Sequence, residues 1–261
     1  MATTNATGMS SDFRVGTVLG RSLSVLQQSF VSFAALALVM SLPTLLSDFG
    51  VGAKQPSAVQ GGAVPTMPIQ HLPPGYLAGF GIAMLFWVLL FALCQPAIVY
   101  GAFLTMRSGG FGLGAALARA LRRFFPVLGT AIVLGLLTGL ATILLVIPGV
   151  IVYLMCYVAV AVCVVEGLGP IGSIGRSAEL TKGFRWKLFG LSICLVLLNV
   201  VSFALRAIFL SIGGPTVGAI LSAVVSIVII AYGLIVHAVA YHDLRVAKEG
   251  IDIEQLAAVF D

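Results

Sequence analysis

Charged side chains are scarce in this sequence. Lys and Arg number 14 and Asp and Glu number 9, so charged residues make up only 9% of the 261 positions. Soluble domains average about 25% charged residues, because their surfaces must stay hydrated. The scarcity excludes an ordinary soluble enzyme, a disordered chain and a solvated nucleic-acid-binding domain. Hydrophobic residues account for 60% instead, which indicates an α-helical membrane protein.

The sequence also has little that could form a catalytic or metal centre. It contains four cysteines and three histidines, and the cysteines stand in no CxxC or Cys/His spacing. His242 and Asp243 are neighbours, but two ligands adjacent in sequence are too few to predict a metal site. No P-loop, HExxH or nucleophile-elbow motif occurs. We therefore predict a protein that is not an enzyme and that holds no metal or cofactor.

Six apolar runs divide the chain. A transmembrane helix needs about 20 apolar residues, with a range of about 17–25. The third and fourth runs are almost continuous, and at about 1.5 Å per residue they would be too long for one bilayer as a single helix. We therefore expect a hairpin turn at Pro148-Gly149. The predicted fold is all-α and polytopic, with six transmembrane helices at Phe30–Ser47, Tyr76–Met106, Pro126–Ile147, Val150–Val165, Leu188–Ile212 and Thr216–Tyr241.

The basic residues indicate the orientation of these helices. Apart from Lys54 and Arg206, every Lys and Arg lies before the first run, after the second, between the fourth and fifth, or after the sixth. The positive-inside rule then predicts that these segments and both termini are cytoplasmic. Asp48–Pro74, which is nearly uncharged and rich in Gly and Pro, becomes the one sizeable outer loop. This loop is either a flexible connector or a segment that docks a partner.

Three short amphipathic stretches precede pairs of apolar runs. Their arginines lie opposite their apolar side chains, which is typical of helices that lie in the membrane interface. The motif Gly20-Arg21-Ser22 of the first stretch recurs as Gly175-Arg176-Ser177 in the third. We predict one membrane domain with three repeats, each an interfacial helix followed by a transmembrane hairpin. The predicted repeats span about 12–106, 110–165 and 167–242, followed by a cytoplasmic tail at 243–261.

Several motifs point to a known family. They are Phe13-Arg14-Val15-Gly16 with Leu19-Gly20-Arg21-Ser22, Val165-Glu166-Gly167 with Gly175-Arg176-Ser177, Leu180-Thr181-Lys182-Gly183 with Arg185-Trp186, and Tyr241-His242-Asp243-Leu244-Arg245 with Lys248-Glu249-Gly250. Together these motifs resemble bacterial membrane proteins related to the glycerophosphoryl diester phosphodiesterase membrane domain. The resemblance covers most of the chain and is strongest from Pro148 onward.

That resemblance implies a multi-pass protein of the bacterial inner membrane. Some family members join this membrane region to a soluble phosphodiesterase domain, whereas many stand alone and have no defined activity. The present sequence has no such soluble domain, so we expect no phosphodiesterase activity. We expect instead a non-enzymatic accessory, scaffold or lipid-interacting component, an inference that depends on analogy with the family.

The densest polar cluster lies before the fifth run. Its basic groups could hold a lipid phosphate through charge-assisted hydrogen bonds, with a serine hydroxyl assisting. The candidate residues for this headgroup site are Arg176, Ser177, Lys182, Arg185 and Lys187. The alternative is that these charges only anchor the topology and pair internally, for example Glu179 with Lys182 or Arg176. The expected partners are anionic phospholipids, together with a membrane-protein partner or a second copy of the chain, and no nucleic acid.

Three polar residues lie inside apolar runs, namely Asn199, Arg206 and His237. Polar groups at membrane depth are costly and often functional, so a path along them would suit a small transporter or channel. The alternatives are that Arg206 extends toward the outer interface and that His237 is a packed, hydrogen-bonded histidine.

Overall fold

A computed structural model of the chain describes residues 13–48 and 76–249, and all regular structure in these two ranges is α-helical. The predicted outer loop beyond Asp48 and the predicted tail beyond Glu249 lie outside the described residues. The helices are α1 (Val15–Gln28), α2 (Phe30–Asp48), α3 (Tyr76–Ser108), α4 (Leu113–Arg122), α5 (Phe124–Leu144), α6 (Val146–Met155), α7 (Ala159–Val165) and α8 (Pro170–Thr181). They are followed by α9 (Arg185–Gly214) and α10 (Thr216–Glu249).

Five helical segments are long and apolar enough to cross a membrane, namely Met84–Arg107, Phe124–Leu144, Val146–Val165, Arg185–Gly214 and Thr216–Glu249. A sixth is counted if α1 and α2 together form one span, although the chain bends by 96° between them. The prediction of an all-α, polytopic membrane protein is therefore confirmed, with five spans or six. The three-repeat organisation stays a prediction, although a short helix (α1, α4 or α8) does precede each pair of long segments.

The turn between the third and fourth predicted spans lies three residues before the predicted position. Leu145 has an extended backbone (φ −165°, ψ 141°) and separates α5 from α6. Pro148 lies in the first turn of α6, where a missing N–H group leaves no intrahelical hydrogen bond broken. Gly149 lets the two helices approach closely, because a Cβ atom there would lie 2.3 Å from the Thr142 hydroxyl oxygen. The hairpin thus turns at Leu145. Pro148 lies in the first turn of α6, and Gly149 makes the close contact with Thr142 of α5.

The fourth span is broken between α6 and α7. The backbone leaves the helical hydrogen-bond pattern at Cys156–Val158, with no proline or glycine in that segment. A second break separates α9 from α10 at Gly214, whose φ of 69° lies in the left-handed region that favours glycine. This second break agrees with the predicted limits of the fifth and sixth apolar runs.

The core lies where α1, α2, α3 and α10 pack together, and it continues into the fourth span and α8 through Leu154, Val162 and Leu180. Tyr241 of α10 is fully buried and meets the Phe103 ring edge-on, with ring centroids 5.6 Å apart. The Tyr232 hydroxyl donates a hydrogen bond to the Leu19 carbonyl oxygen at 3.1 Å and so joins α10 to α1. In contrast, α5 exposes large apolar side chains such as Ile143 (85% exposed), as expected of a helix that faces lipid.

Candidate functional site

A network of arginines and glutamates joins α7, α8 and α10 at one end of the bundle. We call Glu166, Arg176, Tyr241, Arg245 and Glu249 the arginine–glutamate network. The Arg176 Nε atom donates to Glu166 Oε2 at 3.2 Å, and the Tyr241 hydroxyl donates to Glu166 Oε1 at 2.8 Å. Arg245 Nε donates to Glu249 Oε2 at 2.9 Å, and Arg176 Nη2 also donates to Glu249. Every member of the network therefore contacts at least one other member.

Local structure explains how this network forms. Glu166 directly follows the last residue of α7, and Gly167 (φ 75°) then turns the chain so that Pro170 can begin α8. Arg176 consequently returns to face Glu166. Burial disfavours the charged guanidinium, but the hydrogen bond with Glu249 and the charge of Glu166 outweigh that effect and raise the pKa of Arg176 above its ordinary value. For Arg176 the geometry thus favours internal pairing over exposure to a lipid headgroup.

Ser177 lies beside the break in the fourth span. Its side chain is fully buried. The hydroxyl donates to the Met155 carbonyl oxygen at 2.8 Å and accepts from the Val158 N–H at 3.3 Å. The prediction that Ser177 assists a lipid phosphate does not fit this placement, because its hydroxyl oxygen is buried and bonded on both sides. The residue instead satisfies backbone groups that the break leaves without helical partners.

The remaining predicted headgroup residues lie together where α8 ends and α9 begins. Lys182 is exposed, and Arg185 and Lys187 flank Trp186, which is 85% exposed. The Nζ atom of Lys187 lies 5.7 Å from the centroid of the Phe184 ring. The Nε atom of Arg185 is buried and has no hydrogen-bond partner among the described residues. We call Lys182, Arg185, Trp186 and Lys187 the cationic turn.

Arg119 of α4 and Arg123, the residue that follows α4, bind the carboxyl end of the fourth span. Arg119 donates from Nε and Nη2 to the Val164 carbonyl oxygen at 3.3 and 3.2 Å, and Arg123 donates from Nη1 to the Gly167 carbonyl oxygen at 2.8 Å. The last carbonyl groups of a helix have no partners within the helix, and cations are favourable there. Sequence reasoning missed this role, although a spacing of four places Arg119 and Arg123 one helical turn apart, and the Arg123 N–H still donates to the Arg119 carbonyl oxygen at 3.1 Å.

A further ion pair joins α1 to α10 at the same end of the bundle. Arg21 Nη1 lies 2.6 Å from Asp243 Oδ1, and His242 Nδ1 lies 3.1 Å from the same oxygen. Asp243 is thus held by two partners, one of them on α1. Among the described residues, no group of three or more His, Cys, Asp or Glu side chains could hold a metal ion.

Two neighbouring cavities lie among the membrane-spanning helices. One has a volume of about 270 Å³ and the other about 290 Å³, and Phe91, Tyr153 and His237 line both. Asn199 lines the larger cavity, while its Nδ2 group donates to the Leu195 carbonyl oxygen at 2.8 Å. Of the three predicted intramembrane polar residues, the structure brings Asn199 and His237 to one cavity, whereas Arg206 lines neither.

His237 is packed and hydrogen-bonded. Its ring stacks on that of Tyr157, with centroids 4.5 Å apart and an interplanar angle of 20°. Its Nδ1 atom lies 2.7 Å from the Gly233 carbonyl oxygen, one helical turn earlier. These contacts agree with the alternative expectation that His237 is a packed, hydrogen-bonded histidine. The same ring also lines both cavities.

Comparison of the chain with models of protein families, with curated proteins and with solved structures found no match. The resemblance to the glycerophosphoryl diester phosphodiesterase membrane domain therefore stays a prediction from the sequence motifs.

Proposed function

We propose that this protein is a non-enzymatic component of the bacterial inner membrane that binds anionic phospholipid at its cytoplasmic face and acts as a lipid-interacting accessory or scaffold protein. The observation that carries the proposal is the cationic turn. Its basic groups surround an exposed tryptophan at the start of α9, and tryptophan favours the headgroup level of a bilayer. Each basic group near an anionic surface contributes about 1 kcal/mol.

The proposed orientation has separate support. Arg21, Arg119 and Arg176 come from three different short helices and Arg123 directly follows one of them, yet all bind groups at the same end of the bundle, where α7 and α10 end. A concentration of basic residues at one end is what the positive-inside rule associates with the cytoplasm. We therefore propose that both termini are cytoplasmic and that the turn at Leu145 is outside.

The lipid proposal is tested by neutralising two cations of the cationic turn. The Lys182→Gln/Arg185→Gln variant and the unchanged protein are inserted in nanodiscs that contain phosphatidylglycerol and phosphatidylcholine. Native mass spectrometry then compares the lipids that each protein retains. We expect the variant to retain phosphatidylglycerol at least fivefold less well, because two contributions of about 1 kcal/mol are lost, while its retention of phosphatidylcholine is unchanged.

The matched control removes the same charge elsewhere. Arg14 and Arg122 are both exposed, so the Arg14→Gln/Arg122→Gln variant lowers the net charge equally and leaves the cationic turn intact. We expect it to retain phosphatidylglycerol almost as well as the unchanged protein. An equal loss of phosphatidylglycerol in the two variants would mean that net charge, and not the cationic turn, determines retention. No loss in either variant would contradict the lipid site.

A second candidate function is a small transporter or channel. It is supported by one observation, that Asn199 and His237 line the same cavity between α9 and α10. A polar path along Asn199, Arg206 and His237 would have to extend beyond this cavity, because Arg206 does not line it. Swelling of proteoliposomes in isosmotic solutions of small neutral solutes, lost in an Asn199→Leu variant, would favour this function over the first.

A further inference from the structure

The cavity of about 270 Å³ carries neutral polar groups at membrane depth. Its wall is formed by α3, α5, α10 and the broken fourth span, and its polar lining residues are Gln95, Thr138, Tyr153, Tyr157 and His237. Among the described residues, no Asp, Glu, Lys or Arg side chain lines it. A charged ligand would therefore meet no counter-ion, and burial of an unpaired charge is very costly. The site suits an uncharged ligand that makes hydrogen bonds.

Two atoms of this wall lack hydrogen-bond partners. The Gln95 Oε1 atom and the Tyr157 hydroxyl are both buried and unpaired among the described residues. Tyr157 is only 6% exposed. The Ser192 hydroxyl lies near Tyr157, but it donates to the Leu188 carbonyl oxygen at 2.9 Å and forms no hydrogen bond of normal geometry with the Tyr157 hydroxyl. Because a buried polar group without a partner costs about 1–3 kcal/mol, such a pair of atoms indicates that something binds there.

The two unpaired atoms differ in hydrogen-bonding character. The Gln95 oxygen is an acceptor, and the Tyr157 hydroxyl is available as a donor. An alcohol group both donates and accepts hydrogen bonds, so a ligand alcohol matches the two atoms in hydrogen-bonding character. A carbonyl group can only accept, so it would leave the Gln95 oxygen unpaired.

The second cavity offers space for hydrocarbon beside the first. It shares Phe91, Tyr153 and His237 with the first cavity, and most of its other lining residues are apolar, namely Met40, Leu195, Val196, Leu198, Ile229, Ile230 and Leu234. Together the two cavities reach the size range of ligand sites, about 300–1,000 Å³. An amphiphile could place its alcohol group in the first cavity and part of an acyl chain in the second.

We propose that Gln95 and Tyr157 bind the free hydroxyl group of an uncharged glycerolipid of the diacylglycerol class, whose hydrocarbon extends along the second cavity. The alcohol group satisfies both unpaired atoms, and the neutral headgroup avoids the cost of a buried charge. This site is separate from the cationic turn and does not depend on it. An ordered water molecule would also satisfy the two atoms, and lipid titration distinguishes water from a glycerolipid as the occupant.

The full chain in detergent micelles is titrated with 1,2-dioleoylglycerol, and bound lipid is counted by native mass spectrometry. The matched ligand is 1,2-dioleoyl-3-acetylglycerol, which has the same acyl chains and no charge but lacks the free hydroxyl group. We expect the free alcohol to bind at least fivefold more tightly than the acetylated lipid. Equal binding of the two lipids, or binding of neither, would overturn the proposal, and the latter result would leave water as the occupant.

Two variants locate the binding site. Tyr157→Phe removes only the hydroxyl and keeps the ring that stacks on His237, and Gln95→Leu removes the amide. Each should weaken binding of 1,2-dioleoylglycerol about fivefold, the effect of one lost neutral hydrogen bond. Tyr100→Phe, at a tyrosine that lines neither cavity, should bind normally, as should the Lys182→Gln/Arg185→Gln variant. Unchanged binding in both cavity variants would place the lipid elsewhere and contradict the proposal.

Discussion

The Ser177 hydroxyl lies 2.8 Å from the carbonyl oxygen of Met155, a residue 22 positions earlier, and donates a hydrogen bond to it. Met155 is the last residue of α6, so its carbonyl group has no helical partner. The same hydroxyl accepts from the Val158 N–H, on the other side of the break. One side chain of α8 thus satisfies backbone groups on both sides of an interruption in a membrane-spanning segment.

We predict that Ser177→Ala destabilises the protein by about 1–3 kcal/mol, because the Met155 carbonyl and the Val158 N–H would lose a buried partner. The sequence offers a matched control in the related motif. Ser22 is also fully buried, but its hydroxyl donates only to the Val18 carbonyl oxygen within the same helix. Ser22→Ala should cost less than about 1 kcal/mol. Denaturant titration in detergent micelles measures both, and equal losses would show that the interhelical bonds add nothing.

We also predict that Arg119→Gln destabilises the bundle by about 1.5–3 kcal/mol, as expected for hydrogen bonds made by a charged group. The substitution removes the guanidinium that binds the Val164 carbonyl oxygen at the end of α7. Arg122, three residues later on the same helix, is exposed, so Arg122→Gln should change the free energy of unfolding by less than about 0.5 kcal/mol. A larger effect at position 122 than at position 119 would refute this assignment.

The sequence predicts the helical class and most of the segment limits, because long apolar runs have a direct physical cause. Transfer of about 20 apolar residues into the bilayer favours one helical span wherever such a run occurs. The break near Gly214 was also predictable, since glycine adopts positive φ readily and Pro215 follows it. These features depend only on residues that are close together in the chain.

The broken fourth span was not predictable in this way. The segment Cys156–Val158 contains no helix-breaking residue, and Ser177 from another helix binds the Met155 carbonyl oxygen just before it and the Val158 N–H at its end. The same limit applies to Arg176, since its partner Glu249 lies 73 residues away. Helical periodicity identifies neighbours three or four positions apart, such as Glu179, and gives no information about partners on other helices.

The orientation gives a third prediction. With Cys194→Ala as background, since Cys194 is the exposed native cysteine of the described chain, single cysteines are introduced at Leu145 and at Lys182. An impermeant thiol reagent should label Leu145→Cys in intact spheroplasts, because the turn between α5 and α6 is expected outside. Lys182→Cys should be labelled only after the membrane is permeabilised. The opposite pattern would invert the proposed topology.

The last prediction concerns Arg176, whose glutamate partners Glu166 and Glu179 lie in very different surroundings, while Glu249 stays unchanged in the comparison. Glu166 is 15% exposed and its Oε2 atom lies 3.2 Å from Arg176 Nε. Glu179 is 74% exposed, and its Oε2 atom lies 3.9 Å from Arg176 Nη1. Solvent screens the second pair more strongly than the first, and only Glu166 also accepts a hydrogen bond from Tyr241. The two pairs share one arginine, so they can be compared directly.

Double-mutant cycles with Arg176→Gln separate the two interactions. We expect a coupling energy of about 1–2 kcal/mol with Glu166→Gln, within the range for residues of one ion-pair network. The cycle with Glu179→Gln should give no more than about 0.5 kcal/mol, as is usual for an exposed pair on one helix. Denaturant titration of the single and double variants measures both cycles. A coupling with Glu179 equal to that with Glu166 would mean that burial and the Tyr241 hydrogen bond do not strengthen the interaction, and would contradict this prediction.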